Sequence, residues 1–130
     1  MRQKIRMLLT VNAVVGLTFG LGLLVAPAPL VLLYGLRTDT VGLLLARLAG
    51  VEFIGYNLVG WIARAADPYP AGSTPRAVVR GHLVSETLGA PVSATAAVRG
   101  LGNPLLWSVA AIYAIFASEF LWAELALRGH

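Results

Sequence analysis

The sequence predicts an all-α integral membrane protein. It reads as a single domain over residues 1–130, with four transmembrane helices in one bundle, short loops, and both termini on the cytoplasmic side. Three observations carry this. The chain of 130 residues is 58% hydrophobic and only 12% charged, against about 25% charged in a soluble domain. Four apolar stretches approach the length of about 20 residues that a helix needs to cross a bilayer. The basic residues gather at the ends of those stretches.

The predicted spans cover about 5–26, 41–65, 75–99 and 104–127. The first stops at Pro27 and Pro29, which cannot continue a helix cleanly. Leu30 to Leu36 is apolar but short, and reads as a half-turn in the interface. Thr38 and Asp39 offer N-caps for the second span. Asp67-Pro-Tyr-Pro-Ala-Gly-Ser-Thr74 is the one clear water-exposed loop. Pro75 opens the third span, and Pro91 predicts a kink within it. Gly100-Leu-Gly-Asn103 is a tight turn, and Pro104 opens the fourth span.

Arg2, Lys4, Arg6, Arg64, Arg76, Arg80 and Arg128 fall on one side of this topology. Only Arg37 and Arg99 fall on the other. Seven against two is a positive-inside bias that puts both termini in the cytoplasm, with the chain in the cytoplasmic membrane. The pI of about 10.1 is therefore read as topology and headgroup contact, and not as nucleic-acid binding. The N-terminus resembles a signal peptide up to Ala26-Pro-Ala28. Its apolar run is long enough to span, however, and Pro29 follows the site where a cut would fall, so it is read as retained. With no cysteines, disulfides and thiolate chemistry are excluded. Gly16 and Gly20, and Gly50, Gly55 and Gly60, are small residues that let helices approach. They read as internal packing, with a dimer face as the alternative.

The informative residues are polar groups inside the spans: Asn12, Arg47, Glu52, Tyr56, Asn57, His82, Glu86 and Glu119. An ionisable group at the bilayer centre costs about 2.5–3.5 kcal/mol on insertion scales. Glu52 and Glu86 fall near the midplane. Asn12, Tyr56, Asn57, His82 and Glu119 lie roughly 4–8 Å towards the cytoplasmic side, counted at the helical rise. One shared polar cavity accounts for this common level. His82 and Glu86 share a face at i, i+4, as do Glu52 and Tyr56, and Ser93 extends the stripe of His82. Arg47 lies on another part of its helix and snorkels outward or pairs with a carbonyl. Glu124 is read as solvated at the interface. Trp61, Trp107 and Trp122 are read as interface anchors.

A carboxylic acid that stays neutral in a low dielectric can donate a proton, and a histidine can accept or relay one. His82, Glu86, Glu52 and Glu119 are thus the candidate catalytic set. Asn12, Tyr56, Asn57 and Ser93 are the candidate ligand-binding set. The alternative is that these groups are hydrogen-bonding glue between helices, at about 0.6 kcal/mol each. A metal site from His82, Glu86, Glu52 and Glu119 would need a Glu-x-x-His pattern that the chain reverses and does not repeat. No metal or cofactor is therefore expected.

Leu43-Leu-Leu-Ala-Arg-Leu-Ala-Gly-Val-Glu-Phe-Ile-Gly55, followed by Gly60-Trp-Ile-Ala-Arg64, resembles the small bacterial inner-membrane proteins of the DoxX-like type. Gly102-Asn-Pro-Leu-Leu-Trp107 is a looser echo. The resemblance implies a four-helix fold and no particular activity. His82-Leu-Val-Ser-Glu86 looks like the intramembrane His-Leu-Val-x-Glu segment of emopamil-binding-type sterol isomerases. By that likeness, His82 and Glu86 would shuttle protons at a carbon–carbon double bond. That family has five spans and carries its segment earlier in the chain.

The expected function is to bind a lipophilic small molecule (an isoprenoid, epoxide or sterol-like lipid) and to transform it by acid–base chemistry as an isomerase, cyclase or hydrolase. Two alternatives stay open. One is an accessory subunit of a larger membrane complex. The other is a small proton-coupled transporter working as a homodimer.

Overall fold

A computed structural model describes residues 1–68 and 73–128. Tyr69, Pro70, Ala71 and Gly72 of the expected loop, and the terminal Gly129 and His130, lie outside the described residues. The described chain forms five helices: α1 (Arg2–Val25), α2 (Pro27–Leu33), α3 (Thr40–Ala63), α4 (Thr74–Val98) and α5 (Leu106–Arg128). The expected four-helix bundle is corrected on this point.

The extra helix has a local cause. Pro27 has no N–H to continue α1, yet its fixed φ suits the first position of a new helix. The segment read as a half-turn therefore restarts as the two-turn α2. It stops at Leu33, and Gly35 then takes φ +70, a left-handed conformation that glycine adopts without strain.

Among the described residues three helices are long and apolar enough to cross a membrane: α1, α3 and α5. The expectation of four spans is corrected here too. α4 matches the others in length, but Arg76, Arg80, His82 and Glu86 dilute its apolar character. The apolar surface is turned outward: Leu44, Leu48, Val59, Ile62, Ile115 and Leu125 are all exposed. Such an exterior suits lipid as its solvent.

Several elements form where the sequence places them. Asp39 caps α3, its Oδ1 accepting from the Gly42 N–H at 2.8 Å. Pro75 lies in the first turn of α4, and the helix continues through Pro91 to Val98. The turn before α5 uses Gly100 and Gly102 at positive φ.

α1 packs along α3, and α4 along α5; the two pairs approach one another less closely. Glycines set the first pairing. A Cβ on Gly50 would lie 2.7 Å from the Gly20 carbonyl oxygen, and one on Gly16 would overlap the Asn57 amide. Gly55 has open space around it and plays no part in this contact. The second pairing uses Gly89, whose missing Cβ leaves room for the Tyr113 ring.

The hydrophobic core joins α1, α4 and α5 at the end that holds both termini. It consists of Ile5, Leu8, Leu9, Val79, Phe116, Phe120, Ala123 and Leu127. An Arg2–Asp67 ion pair at 2.8 Å ties α1 to the segment after α3 at the same end. At the opposite end Asn103 is a clasp. Its N–H donates to the Tyr34 carbonyl at 2.8 Å, and its side-chain amide donates to the Leu33 carbonyl at 2.9 Å.

Candidate functional site

Above the packed core the helices part around a cavity of about 270 Å³. Its walls come from α1, α3 and α5, and α2 with Tyr34 and Leu36 closes its far end. The wall is almost wholly apolar, with Leu23, Leu30, Val109 and Ile112 among its residues. Five aromatic rings join them: Phe19, Tyr34, Phe53, Tyr113 and Phe116. The polar residues of the lining are Asn12, Asn57 and Glu86, together with the two tyrosines, Tyr34 and Tyr113.

Four of the expected site residues meet at this polar end. The Asn57 amide N–H donates to the Phe53 carbonyl at 2.8 Å. That carbonyl can only accept, so Asn57 must turn its Oδ1 the other way. Asn57 Oδ1 accepts from Asn12 Nδ2 at 3.3 Å. The same Asn12 nitrogen lies 3.0 Å from His82 Nδ1. An amide nitrogen carries only donors, so His82 Nδ1 must be the acceptor. This chain of contacts fixes the tautomer: the imidazole is uncharged, with its hydrogen on Nε2.

His82 is 1% exposed. Its ring stacks on Phe120, with centroids 4.9 Å apart and planes 8° apart, and meets Tyr56 at 4.2 Å. Nε2 is buried with no hydrogen-bond partner, and faces Gly60 where a Cβ would stand 3.0 Å away. His82 does not line the cavity; Glu86 does. The carboxyl of Glu86 is 9% exposed and lies 3.9 Å from His82 Nδ1, beyond hydrogen-bond reach. Nδ1 is in any case committed to Asn12. Among the described residues Glu86 has no hydrogen bond, and no lysine or arginine pairs with it.

The other expected residues lie elsewhere. Glu52 and Glu119 are both exposed and are not brought to His82 and Glu86. Glu119 lines an outer groove between α1 and α5 with Lys4 and Trp122. Tyr56 is 37% exposed and does not line the cavity, although its ring meets His82. Ser93 is buried, but its hydroxyl donates back to the Gly89 carbonyl of its own helix at 2.6 Å. Arg47 is exposed, as snorkelling requires.

Glu124 corrects a further expectation. It is 2% exposed and paired with Arg80 at 3.1 Å and Arg128 at 2.9 Å. The i, i+4 spacing of Glu124 and Arg128 was the signal for it. Tyr113 was also missed, as an aromatic with no distinguishing neighbour in sequence.

Among the described residues no group of three or more His, Asp or Glu side chains stands together to hold a metal ion. Compared with protein-family models, curated proteins and solved structures, the chain finds no match.

Proposed function

We propose that this is a membrane protein that binds a small lipophilic molecule in the cavity between its helix pairs, with Glu86 as the polar anchor. One observation carries the reading: a nearly apolar cavity ends on a buried carboxyl that has no hydrogen bond and no arginine or lysine partner among the described residues. Ligand pockets are typically apolar with a few convergent polar groups, and start at about 300 Å³. A volume of about 270 Å³ favours a short isoprenoid or a single substituted ring over a sterol body. An acid–base step on such a ligand would rest on Glu86 alone, because His82 stands behind it and does not line the cavity. The likeness to sterol isomerases is narrowed accordingly to that one carboxyl.

Native mass spectrometry of gently purified protein tests this. A retained lipophile is expected, and Val109→Trp, which fills the cavity, should expel it. If the bound mass survives Val109→Trp unchanged, the cavity is not the binding site.

A second reading has one observation in its favour. Glu52 is exposed on α3 amid exposed Leu48, Val51 and Val59. A carboxylate facing lipid is expensive, and a neighbouring helix with a donor would relieve it. This supports a place in a homodimer or a larger membrane complex. The same spectrum decides it, since a fixed partner at defined stoichiometry adds its mass.

We place the arginine-rich end, where Met1 and Arg128 lie, on the cytoplasmic side of the inner membrane, in line with the positive-inside rule; this needs α4, packed along α5, to cross the bilayer together with α1, α3 and α5. A tag on Met1 should resist protease in intact spheroplasts; cleavage there would reverse the orientation.

A further inference from the structure

The charge state of the polar end says which lipophile fits. Glu86 needs a counter-charge or a proton, and nothing in the described chain supplies a cation. His82 Nδ1 lies 3.9 Å from the carboxyl, and its lone pair is occupied by Asn12 at 3.0 Å. Arg80 and Arg128 are taken up at the terminal end, where they hold Glu124, and Arg76 lies ten residues before Glu86 on α4, about 15 Å away along the helix. The cavity that the carboxyl lines is walled by the five rings of Phe19, Tyr34, Phe53, Tyr113 and Phe116, with Phe19 and Tyr34 paired at 6.4 Å at its far end. Aromatic faces carry negative quadrupoles and attract cations, most strongly where water is excluded; cages of such rings hold quaternary ammonium groups. A carboxylate within an aromatic wall is complementary to one chemistry: a monovalent, hydrophobic organic cation.

We propose that the cavity selects hydrophobic amines and quaternary ammonium ions over neutral lipophiles of the same shape, with the ligand's positive charge against Glu86. The proposal rests on the cavity reading above and names the class of molecule that fills it. Asn12 and Asn57 act as positioning residues. By engaging His82 through Nδ1 they keep its proton on Nε2, turned away from the cavity. The histidine therefore neither repels an incoming cation nor competes with it for Glu86.

The test uses two probes of one shape. Benzyltrimethylammonium and neopentylbenzene differ only in a charged nitrogen for a neutral carbon. Binding of each is measured by calorimetry to the full chain in lipid nanodiscs, for the wild type and for Glu86→Gln. Comparing each probe between the two proteins cancels its own partitioning into lipid. Glu86→Gln is expected to weaken the cation by about tenfold or more and to leave the neutral probe unchanged or tighter. Binding of the neutral probe also reports that the variant is folded.

Equal loss of both probes in Glu86→Gln, or no loss of the cation, overturns the charge selection. Binding of the neutral probe alone to the wild type overturns it as well, while the cavity reading stands. If neither probe binds the wild type, both readings fall.

Discussion

At the end of the molecule that holds both termini, Ile5, Leu9, Phe120 and Leu127 are at most 1% exposed and fill the space between α1, α4 and α5. At the other end the same helices, joined by α2, surround about 270 Å³ of cavity. Helix length does not explain this contrast, because each long helix runs through both halves. Side-chain size does not either, because Phe19, Phe53 and Tyr113 stand at the hollow end. The difference lies in how the side chains meet: Phe120 stacks on His82 at the packed end, whereas the rings at the hollow end line a space. α1 offers Ile5 and Leu9 below, and Gly16 above, where Asn57 of α3 takes up the space. Protein interiors are normally packed as densely as organic crystals, and a wall facing a void forfeits dispersion contacts. A hollow half built on a close-packed half is the arrangement expected of a container. The Asn12, Asn57, His82 and Glu86 layer marks the boundary between the two.

The sharpest way to break this comparison is to truncate one residue in each half. Phe120→Ala removes the ring beneath His82 and should cost about 3–5 kcal/mol, the usual cost of emptying a filled core position. Val109→Ala, on a wall that already lacks neighbours on one side, should cost less than about 1.5 kcal/mol. Unfolding by denaturing detergent in mixed micelles measures both, and equal losses would mean that the halves are packed alike. The smallest effect sharpens the boundary layer itself. Asn12→Leu withdraws the donor from His82 Nδ1 and should cost about 1 kcal/mol. Its clearer signature is spectroscopic. ¹⁵N chemical shifts should report the Nε2–H tautomer in the wild type and a shift towards Nδ1–H in the variant, where the proton can turn to Glu86. A wild type already protonated on Nδ1 would refute the hydrogen-bond assignment.

Much of this architecture was legible in the residues. The spans end within a few positions of the observed helices because Pro, Gly and Asp act locally, through missing donors, permitted φ and caps. The i, i+4 spacing of His82 and Glu86 was enough to place them together. Depth, by contrast, says nothing about direction around a helix, and Glu52 and Glu119 were misjudged on depth. A signal for Glu52 was present. Gly50, Asn57 and Gly60 mark the inward face of α3, and Glu52 follows Gly50 by two residues, about 200° around the helix. Glu124 was misjudged for the converse reason: nearness to the interface was taken for solvation, whereas two arginines cover it. The clasp at Asn103 had no local signature, since its partners stand 70 residues away.

That separation sets a schedule. Chains are made from the N-terminus at about 5–20 residues per second, so Asn103 follows Leu33 by roughly 4–14 s. Until it arrives, the carbonyls of Leu33 and Tyr34 have no amide from this residue to receive. A bare carbonyl is tolerable only where water reaches it, so the end of α2 needs water or another donor through the synthesis of α3 and α4. The α5 wall of the cavity, from Leu106 to Phe116, follows Asn103 in the chain, so the clasp residue arrives just before the wall that completes the cavity.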